Sequence, residues 1–150
     1  MSAADKPLLL ENPVQKYAWG SYTAIQNLLG TTPDSQTPWA ELWMGAHPKA
    51  PSAIVSNGDR VPLDQYIASN PEAALGPPAA GRFGNSLPFL LKVLAARMPL
   101  SIQTHPEAAQ ARLGFDRENK AGIPLNAPNR NYRDPFPKPE LICALSHFDA

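Results

Sequence analysis

The sequence has little cysteine, no excess of charge and no long hydrophobic run, and each absence excludes a class of protein. Its 150 residues include one cysteine, Cys143, which excludes an internal disulfide and favours a reducing compartment. Thirteen basic residues balance thirteen acidic ones, so the chain lacks the positive surface that draws proteins to nucleic acid or anionic membranes. We therefore expect a cytoplasmic protein with no nucleic-acid partner.

The hydrophobic runs are too short to place the chain in a membrane. The longest covers residues 87–96, contains Pro88 and Lys92, and falls well below the about 20 apolar residues that cross a bilayer. The N-terminal residues 1–13 also lack the apolar core of a secretory signal. We expect no membrane partner.

Proline is abundant, and its placement in the second half predicts short elements. The chain has eighteen prolines, and those of the second half divide it into segments of strand length rather than helix length. This pattern predicts strands over residues 89–96, 100–105 and 140–148, a helix over 107–113 that stops at Gly114, and a long loop over 115–137. Long ordered loops in compact domains are often functional.

The first half combines helical and strand patterns. Residues 21–29 have apolar side chains at helical spacing, and a second helix is predicted after Pro62. Residues 39–46 are apolar on both faces apart from Glu41, which is typical of a strand covered on two sides. Residues 53–55 predict a strand that runs into a turn at Asn57 and Gly58. The fold class is therefore mainly β with short helices (α+β), either a barrel or a two-sheet sandwich.

Polar side chains of two predicted strands form a candidate metal site. The two-residue period of a strand puts Ser101, Gln103 and His105 on one face, and Lys138 and Glu140 share a face at the start of another strand. If the two strands are neighbours, an imidazole, a carboxylate and an amide oxygen converge, and this donor set suits zinc. Such residues are also common in strands that bind no metal.

Two charged residues lie within apolar segments. Lys92 is the one charge in residues 87–96, and it either reaches solvent at a sheet edge or points into a polar cavity. Glu41, a negative charge between Trp39 and Trp43, likewise either reaches solvent or points into a polar cavity. It can equally be a buried carboxylate satisfied by a lysine or by backbone amides.

Five ordered segments resemble one known family. They are NPVQKYAWGS at residues 12–21, AELWMGAHPKAPS at 40–52, LPFLLKVLAARMPLSIQTHP at 87–106, GFDRENKAGIP at 114–124 and NYRDPFPKPELICAL at 131–145. In order and spacing they resemble the N-terminal portion of type I mannose-6-phosphate isomerases. SIQTHP and KPE are the most specific of the matching motifs.

The resemblance implies a fold, a cofactor and a reaction. It implies a cupin, or jelly-roll barrel, incomplete in this chain, with residues 1–150 as an N-terminal zinc-binding domain. The family interconverts mannose 6-phosphate and fructose 6-phosphate through an enediol(ate), which feeds mannose and GDP-mannose metabolism. The implied Zn²⁺ ligands are Gln103, His105 and Glu140.

The resemblance also implies roles for four other residues. Lys92 and Lys138 correspond to active-site lysines, which we expect to be catalytic. Ser101 and Glu41 correspond to residues that line the substrate pocket, with Ser101 near the phosphate. Pro137 departs from the family pattern, because many bacterial members have a histidine there.

Residues 1–150 contain no counterpart of four features of the family: its later histidine ligand, its active-site arginine, its helical region and its second cupin domain. We therefore expect this chain alone to bind zinc weakly and to be nearly inactive, and we expect a monomer whose partner is a small sugar phosphate. His147 is a remote substitute for the fourth ligand. The alternative function is a non-catalytic cupin-like module that binds a sugar.

Overall fold

The computed structural model describes residues 7–147, and the chain divides into two compact units, Met1–Leu100 and Ser101–Ala150. Within the described residues the strands are β1 (Leu9–Glu11), β2 (Val14–Gln15), β3 (Glu41–Gly45), β4 (Ala53–Ser56), β5 (Asp59–Pro62) and β6 (Leu90–Leu94). The helices are α1 (Ala24–Leu28), α2 (Leu63–Ser69), α3 (Pro71–Leu75), α4 (Pro77–Phe83) and α5 (Ala108–Lys120). The first unit holds all of these elements except α5.

The first unit contains two antiparallel sheets of three strands each, in the orders β1-β4-β5 and β2-β3-β6. The β4–β5 hairpin turns at Asn57 and Gly58, which both have positive φ, as the sequence predicts for this dipeptide. Neither sheet closes into a barrel within residues 7–147. The predicted class, mainly β with short helices (α+β), is confirmed in the form of small antiparallel sheets with short helices.

The core of the first unit lies around β3 and the segments that cover it. Leu42 and Trp43 are buried on opposite faces of β3, which agrees with the predicted strand over 39–46. Ile25 of α1 and Ile67 of α2 are also buried, and both helices lie within or close to their predicted segments. Burial of these apolar side chains is the main favourable contribution to folding here.

The second unit is built on α5 and on residues 121–140, which return along it and are called the return segment below. The predicted helix over 107–113 begins correctly, but the predicted stop at Gly114 is wrong because α5 continues to Lys120. Gly114 is needed for another reason: a Cβ there would overlap the ring of Tyr132. The predicted loop over 115–137 therefore starts too early, since its first six residues belong to the helix.

The predicted strands at 100–105 and 140–148 are wrong over the described residues, which have no regular secondary structure there. A strand forms only when its backbone groups pair with a neighbour, and no described segment pairs with either of these. Their apolar side chains are accordingly exposed, with Ile102 at 98% and Leu141 at 99%. Phe148, the end of the second prediction, lies outside the described residues.

A buried arginine fixes the return segment to α5. The side chain of Arg130 is fully buried and lies 3.0 Å from a carboxylate oxygen of Glu118. Its guanidinium donates hydrogen bonds to the carbonyl oxygens of Ile123 at 2.7 Å and Tyr132 at 2.6 Å, and to the side-chain oxygen of Asn119 at 2.8 Å. The planar, five-donor guanidinium suits this set of acceptors.

Glu118 completes this contact from the helix side. Its carboxylate accepts hydrogen bonds from the backbone N–H of Tyr132 at 2.8 Å and of Asn131 at 3.2 Å. Burial raises the pKa of Glu118, but these hydrogen bonds and the charge of Arg130 outweigh it and leave the pKa below its usual value. We call Glu118, Arg130 and the backbone of Asn131 and Tyr132 the polar clamp.

The described residues include no helix that is both long enough and apolar enough to span a membrane.

Candidate active site

Lys92 and Glu41 form an ion pair in the first unit. β3 and β6 pair antiparallel, and Lys92 lies opposite Trp43, two residues from Glu41. The Nζ of Lys92 is 3.9 Å from a carboxylate oxygen of Glu41, whose side chain is 11% exposed. The other carboxylate oxygen accepts a 2.7 Å hydrogen bond from the indole N–H of Trp43. Glu41 is therefore a buried carboxylate held by a lysine and an indole.

His105 and Glu140 meet in the second unit. The Nε2 of His105 lies 3.7 Å from a carboxylate oxygen of Glu140, although the two residues are far apart in the sequence. His105 precedes α5, and Glu140 lies at the end of the segment that returns from it. The predicted meeting of an imidazole and a carboxylate is thus observed, but a helix and a loop produce it rather than two paired strands.

The chemistry of this pair suits zinc. Two ligands of one tetrahedral zinc ion, each about 2.0–2.2 Å from the metal, lie roughly 3.3–3.6 Å apart. The 3.7 Å separation of the His105 nitrogen and the Glu140 oxygen is close to this range. Within residues 7–147, no group of three His, Cys, Asp or Glu side chains has metal-binding geometry.

The remaining predicted residues lie along the same unit without a shared strand face. Ser101 and Gln103 are exposed in the irregular segment before α5. Lys138 forms a 2.7 Å ion pair with Asp134. Sequence reasoning did not assign Asp134 a role, although its spacing of four residues from Lys138 was visible.

A largely apolar cavity of about 400 Å³ lies in the first unit, and Asn12 is the one polar residue in its lining. Leu10, Met44, Leu63, Leu87, Phe89 and Leu91 are among its lining residues. A sugar phosphate needs hydrogen-bonding and charged partners, which these side chains do not supply. The cavity is therefore not a candidate substrate site.

The family model for the catalytic domain of type I phosphomannose isomerase matches residues 8–150. The chain belongs to this family. The match covers every predicted site residue, from Glu41 to Glu140.

The type I phosphomannose isomerases that resemble this chain include a curated bacterial enzyme. The mannose-6-phosphate isomerase of Salmonella typhimurium is 54% identical over 93% of this chain, but the match covers only 36% of that protein. This chain thus spans about a third of the length of that relative.

Solved structures of phosphomannose isomerase from Salmonella typhimurium have the same fold. A Glu-to-Ala variant matches 85% of this chain with a TM-score of 0.79 and 54% identity. Another structure, bound to fructose 6-phosphate and zinc, matches 86% of the chain with a TM-score of 0.77 and 54% identity. Each match covers 32% of the solved chain.

Sequence reasoning missed Trp43 as the partner of Glu41 and Asp134 as the partner of Lys138. It also missed the polar clamp. Trp43 holds Glu41, and its position two residues along the same strand face was the available signal. Glu118 and Arg130 were assigned to a loop, and neither their spacing nor their neighbours distinguish them from surface charges. Their pairing became visible only in the folded unit.

Proposed function

We propose that this chain carries part of the active site of a zinc-dependent mannose-6-phosphate isomerase. The observation that carries the proposal is the contact of His105 with Glu140, which come from the family-like motifs SIQTHP and KPE. A related Salmonella enzyme has been solved with fructose 6-phosphate and zinc, and this supports the same substrate class and cofactor here.

In this proposal Gln103, His105 and Glu140 hold the zinc ion. Imidazole nitrogen and carboxylate oxygen are common zinc donors, and a neutral amide oxygen is an acceptable third ligand. When bound, zinc supplies a Lewis acid that polarises a carbonyl and stabilises developing negative charge. The chain's own residues must then bind the sugar phosphate and move a proton between two neighbouring carbons.

Lys92 and Glu41 are proposed to act on the sugar from the first unit. Interconversion of an aldose and a ketose removes a proton from C2 and returns one to C1, so a group that transfers a proton or balances charge is needed. The Lys92 ammonium is held by Glu41, which is itself fixed by Trp43. The ion pair places the Lys92 ammonium beside a buried carboxylate, and we assign Lys92 the catalytic role and Glu41 a place in the substrate pocket.

Lys138 and Ser101 complete the proposed set. Lys138 immediately precedes Pro139 and Glu140, so it lies next to a proposed zinc ligand and can contribute charge or a proton. The Ser101 hydroxyl is exposed and can donate a hydrogen bond to a phosphate oxygen. Binding the remote phosphate would position the reacting carbons.

The metal site can be tested on the 150-residue chain itself. We expect weak zinc binding in a competition titration with a chromophoric chelator, and we expect His105→Ala and Glu140→Gln to weaken it further. His47→Ala is the matched control, because it removes a histidine of the first unit that has no place in the proposed ligand set. Unchanged zinc affinity in both His105→Ala and Glu140→Gln would contradict the ligand assignment.

The activity can be tested in a chimaera that joins this chain to the unmatched C-terminal part of the Salmonella enzyme. We expect the chimaera to convert fructose 6-phosphate in a coupled assay, and the 150-residue chain alone to be nearly inactive. Lys92→Met should lower kcat by about 10²–10⁴-fold, while the exposed control Lys16→Met should not. A chimaera that binds the sugar phosphate but never turns it over would instead support a non-catalytic sugar-binding module.

The cellular setting is part of the same proposal. A single exposed cysteine, Cys143, is compatible with a reducing compartment, so we place the protein in the cytoplasm, where it would feed mannose and GDP-mannose metabolism. We propose a monomer whose N-terminal cupin-type domain comprises residues 1–150. Light scattering on the purified chain tests the oligomeric state.

A further inference from the structure

In the second unit the chain leaves the candidate metal site at His105 and returns to it at Glu140. It leaves His105, runs along α5, reverses after Lys120 and comes back to Glu140, whose carboxylate lies 3.7 Å from the His105 imidazole. Contacts between the helix and the return segment must therefore set where Glu140 lies. The polar clamp supplies those contacts at Glu118 and Arg130.

The clamp determines position more strictly than apolar packing would. Apolar contacts tolerate sliding, whereas Arg130 must meet three oxygen acceptors and the Glu118 carboxylate at once. A shift of one residue would leave a buried charge without its partners, which is strongly unfavourable. The ring of Tyr132 against Gly114 adds a steric contact at the same place.

A stiff connection links the clamp to Glu140. Asp134 accepts a hydrogen bond from the N–H of Phe136 at 3.1 Å and pairs with Lys138 at 2.7 Å, so the intervening turn is tied at two points. Prolines at positions 135, 137 and 139 restrict the backbone between them. A displacement at the clamp is therefore passed on to Glu140 rather than absorbed by a flexible loop.

We infer that Glu118 and Arg130 are positioning residues that hold Glu140 beside His105. The inference rests on the proposed function, in which His105 and Glu140 bind zinc. It gives a role to the buried ion pair of Glu118 and Arg130, which touches neither of these ligands. Residues that hydrogen-bond metal ligands directly typically change metal affinity by about 10–100-fold when replaced, and we take this range as the scale for Glu118 and Arg130, which act through the backbone of the segment that leads to Glu140.

The first test measures zinc affinity in the 150-residue chain. Arg130→Lys keeps the positive charge but loses the planar set of donors, and we expect it to weaken zinc binding by about 10–100-fold. Glu118→Gln should weaken binding less, because the amide oxygen still accepts one of the backbone hydrogen bonds. Arg112→Gly is the control: it weakens α5 at an exposed position and should leave zinc affinity within about twofold of the parent.

A second readout needs no metal. The chain has three histidines, so the imidazole NMR signals of His105 can be assigned and followed. Glu140→Gln should shift those signals in the parent chain and should have little effect in the Arg130→Lys background, because Glu140 no longer lies beside His105. Equal shifts in both backgrounds would overturn the inference.

The two readouts separate the inference from the proposed function. If the parent chain binds no zinc, the proposed metal site fails and the NMR comparison alone decides the role of the clamp. If the parent binds zinc and Arg130→Lys binds it equally well, the positioning role is wrong while the metal site stands. Amide exchange at Asn131 and Tyr132 confirms in each variant whether the clamp has opened.

Discussion

The two units are ordered by different interactions. The first has an apolar core, with Ile25, Ile54 and Ile67 at most 5% exposed. In the second, Ala111 is the one described apolar residue that is buried, while Glu118 and Arg130 are buried together. The first unit is therefore stabilised mainly by loss of apolar surface from water, and the second by a specific set of polar contacts.

This difference can be measured because each unit has its own probe. All three tryptophans, at positions 19, 39 and 43, belong to the first unit. The N–H groups of Asn131 and Tyr132, which donate to Glu118, report on the second unit through amide exchange.

The largest expected effect is in the apolar core. Ile25→Ala should lower the free energy of unfolding of the first unit by about 2–5 kcal/mol, because it leaves a cavity at a fully buried position. Urea unfolding followed by tryptophan fluorescence measures this loss, and Leu28→Ala on the same helix, 60% exposed, is the matched control. Loss of protection at Asn131 and Tyr132 in Ile25→Ala would break the comparison, since both units would then depend on one core.

A smaller effect on stability is expected when Gly114 is replaced, and its sign should depend on whether Tyr132 is present. Gly114→Ala should destabilise the second unit by about 1–3 kcal/mol, because the added methyl group overlaps the ring of Tyr132. In a Tyr132→Ala background the same change should stabilise α5 by up to about 1 kcal/mol, the ordinary helix preference of alanine over glycine. Circular dichroism during urea unfolding measures both, and stabilisation by Gly114→Ala with Tyr132 present would refute the steric explanation.

Acid should act on the second unit through Glu118. Because the folded-state pKa of Glu118 lies below its unfolded value, its contribution to stability is complete above about pH 4.3 and is lost as the pH falls through the folded-state pKa. NMR signals of Asn131 and Tyr132 should change over that acid range, and Glu118→Gln should flatten the dependence. Asp34→Asn is the control in the first unit, where hydrogen bonds from Thr37 and Gln36 lower the pKa of an exposed carboxyl. An unchanged acid response in Glu118→Gln would remove Glu118 as its cause.

The smallest expected effect is at an exposed helical glycine. Gly81 lies in α4, and a Cβ there would meet no other atom. Gly81→Ala should therefore stabilise the first unit by up to about 1 kcal/mol, in contrast to Gly114→Ala. A small rise in the tryptophan-monitored urea midpoint is the expected result, and a fall would mean that α4 needs the flexibility of glycine.

Local patterns predicted the elements that local chemistry controls. The Asn57–Gly58 turn, the two-sided burial of β3 and the start of α2 after Pro62 were all foreseen, because backbone conformation and apolar periodicity are written in neighbouring residues. The strand predictions at 100–105 and 140–148 were wrong because a strand also needs a partner. The end of α5 was misplaced because a residue from the return segment, Tyr132, explains Gly114.

The candidate site shows the same division. The residue types at positions 103, 105 and 140 indicated a metal site, and the contact of His105 with Glu140 agrees with that expectation, while the zinc itself stays a prediction. For Glu41, a buried carboxylate satisfied by a lysine was one of the alternatives that the sequence left open, and the ion pair with Lys92 agrees with it. No local pattern indicated the pairing of Glu118 with Arg130.

The sequence by itself determined family membership, the mixture of strands and short helices, and the residue types present at the candidate site. Only the tertiary structure decided which charges are buried together, why α5 passes through Gly114, and how Glu140 returns to His105. The physical reason is that motifs and periodicity are properties of neighbouring residues. The partner of a buried charge or of a strand edge is set by contacts between distant segments, and these exist only once the chain has folded.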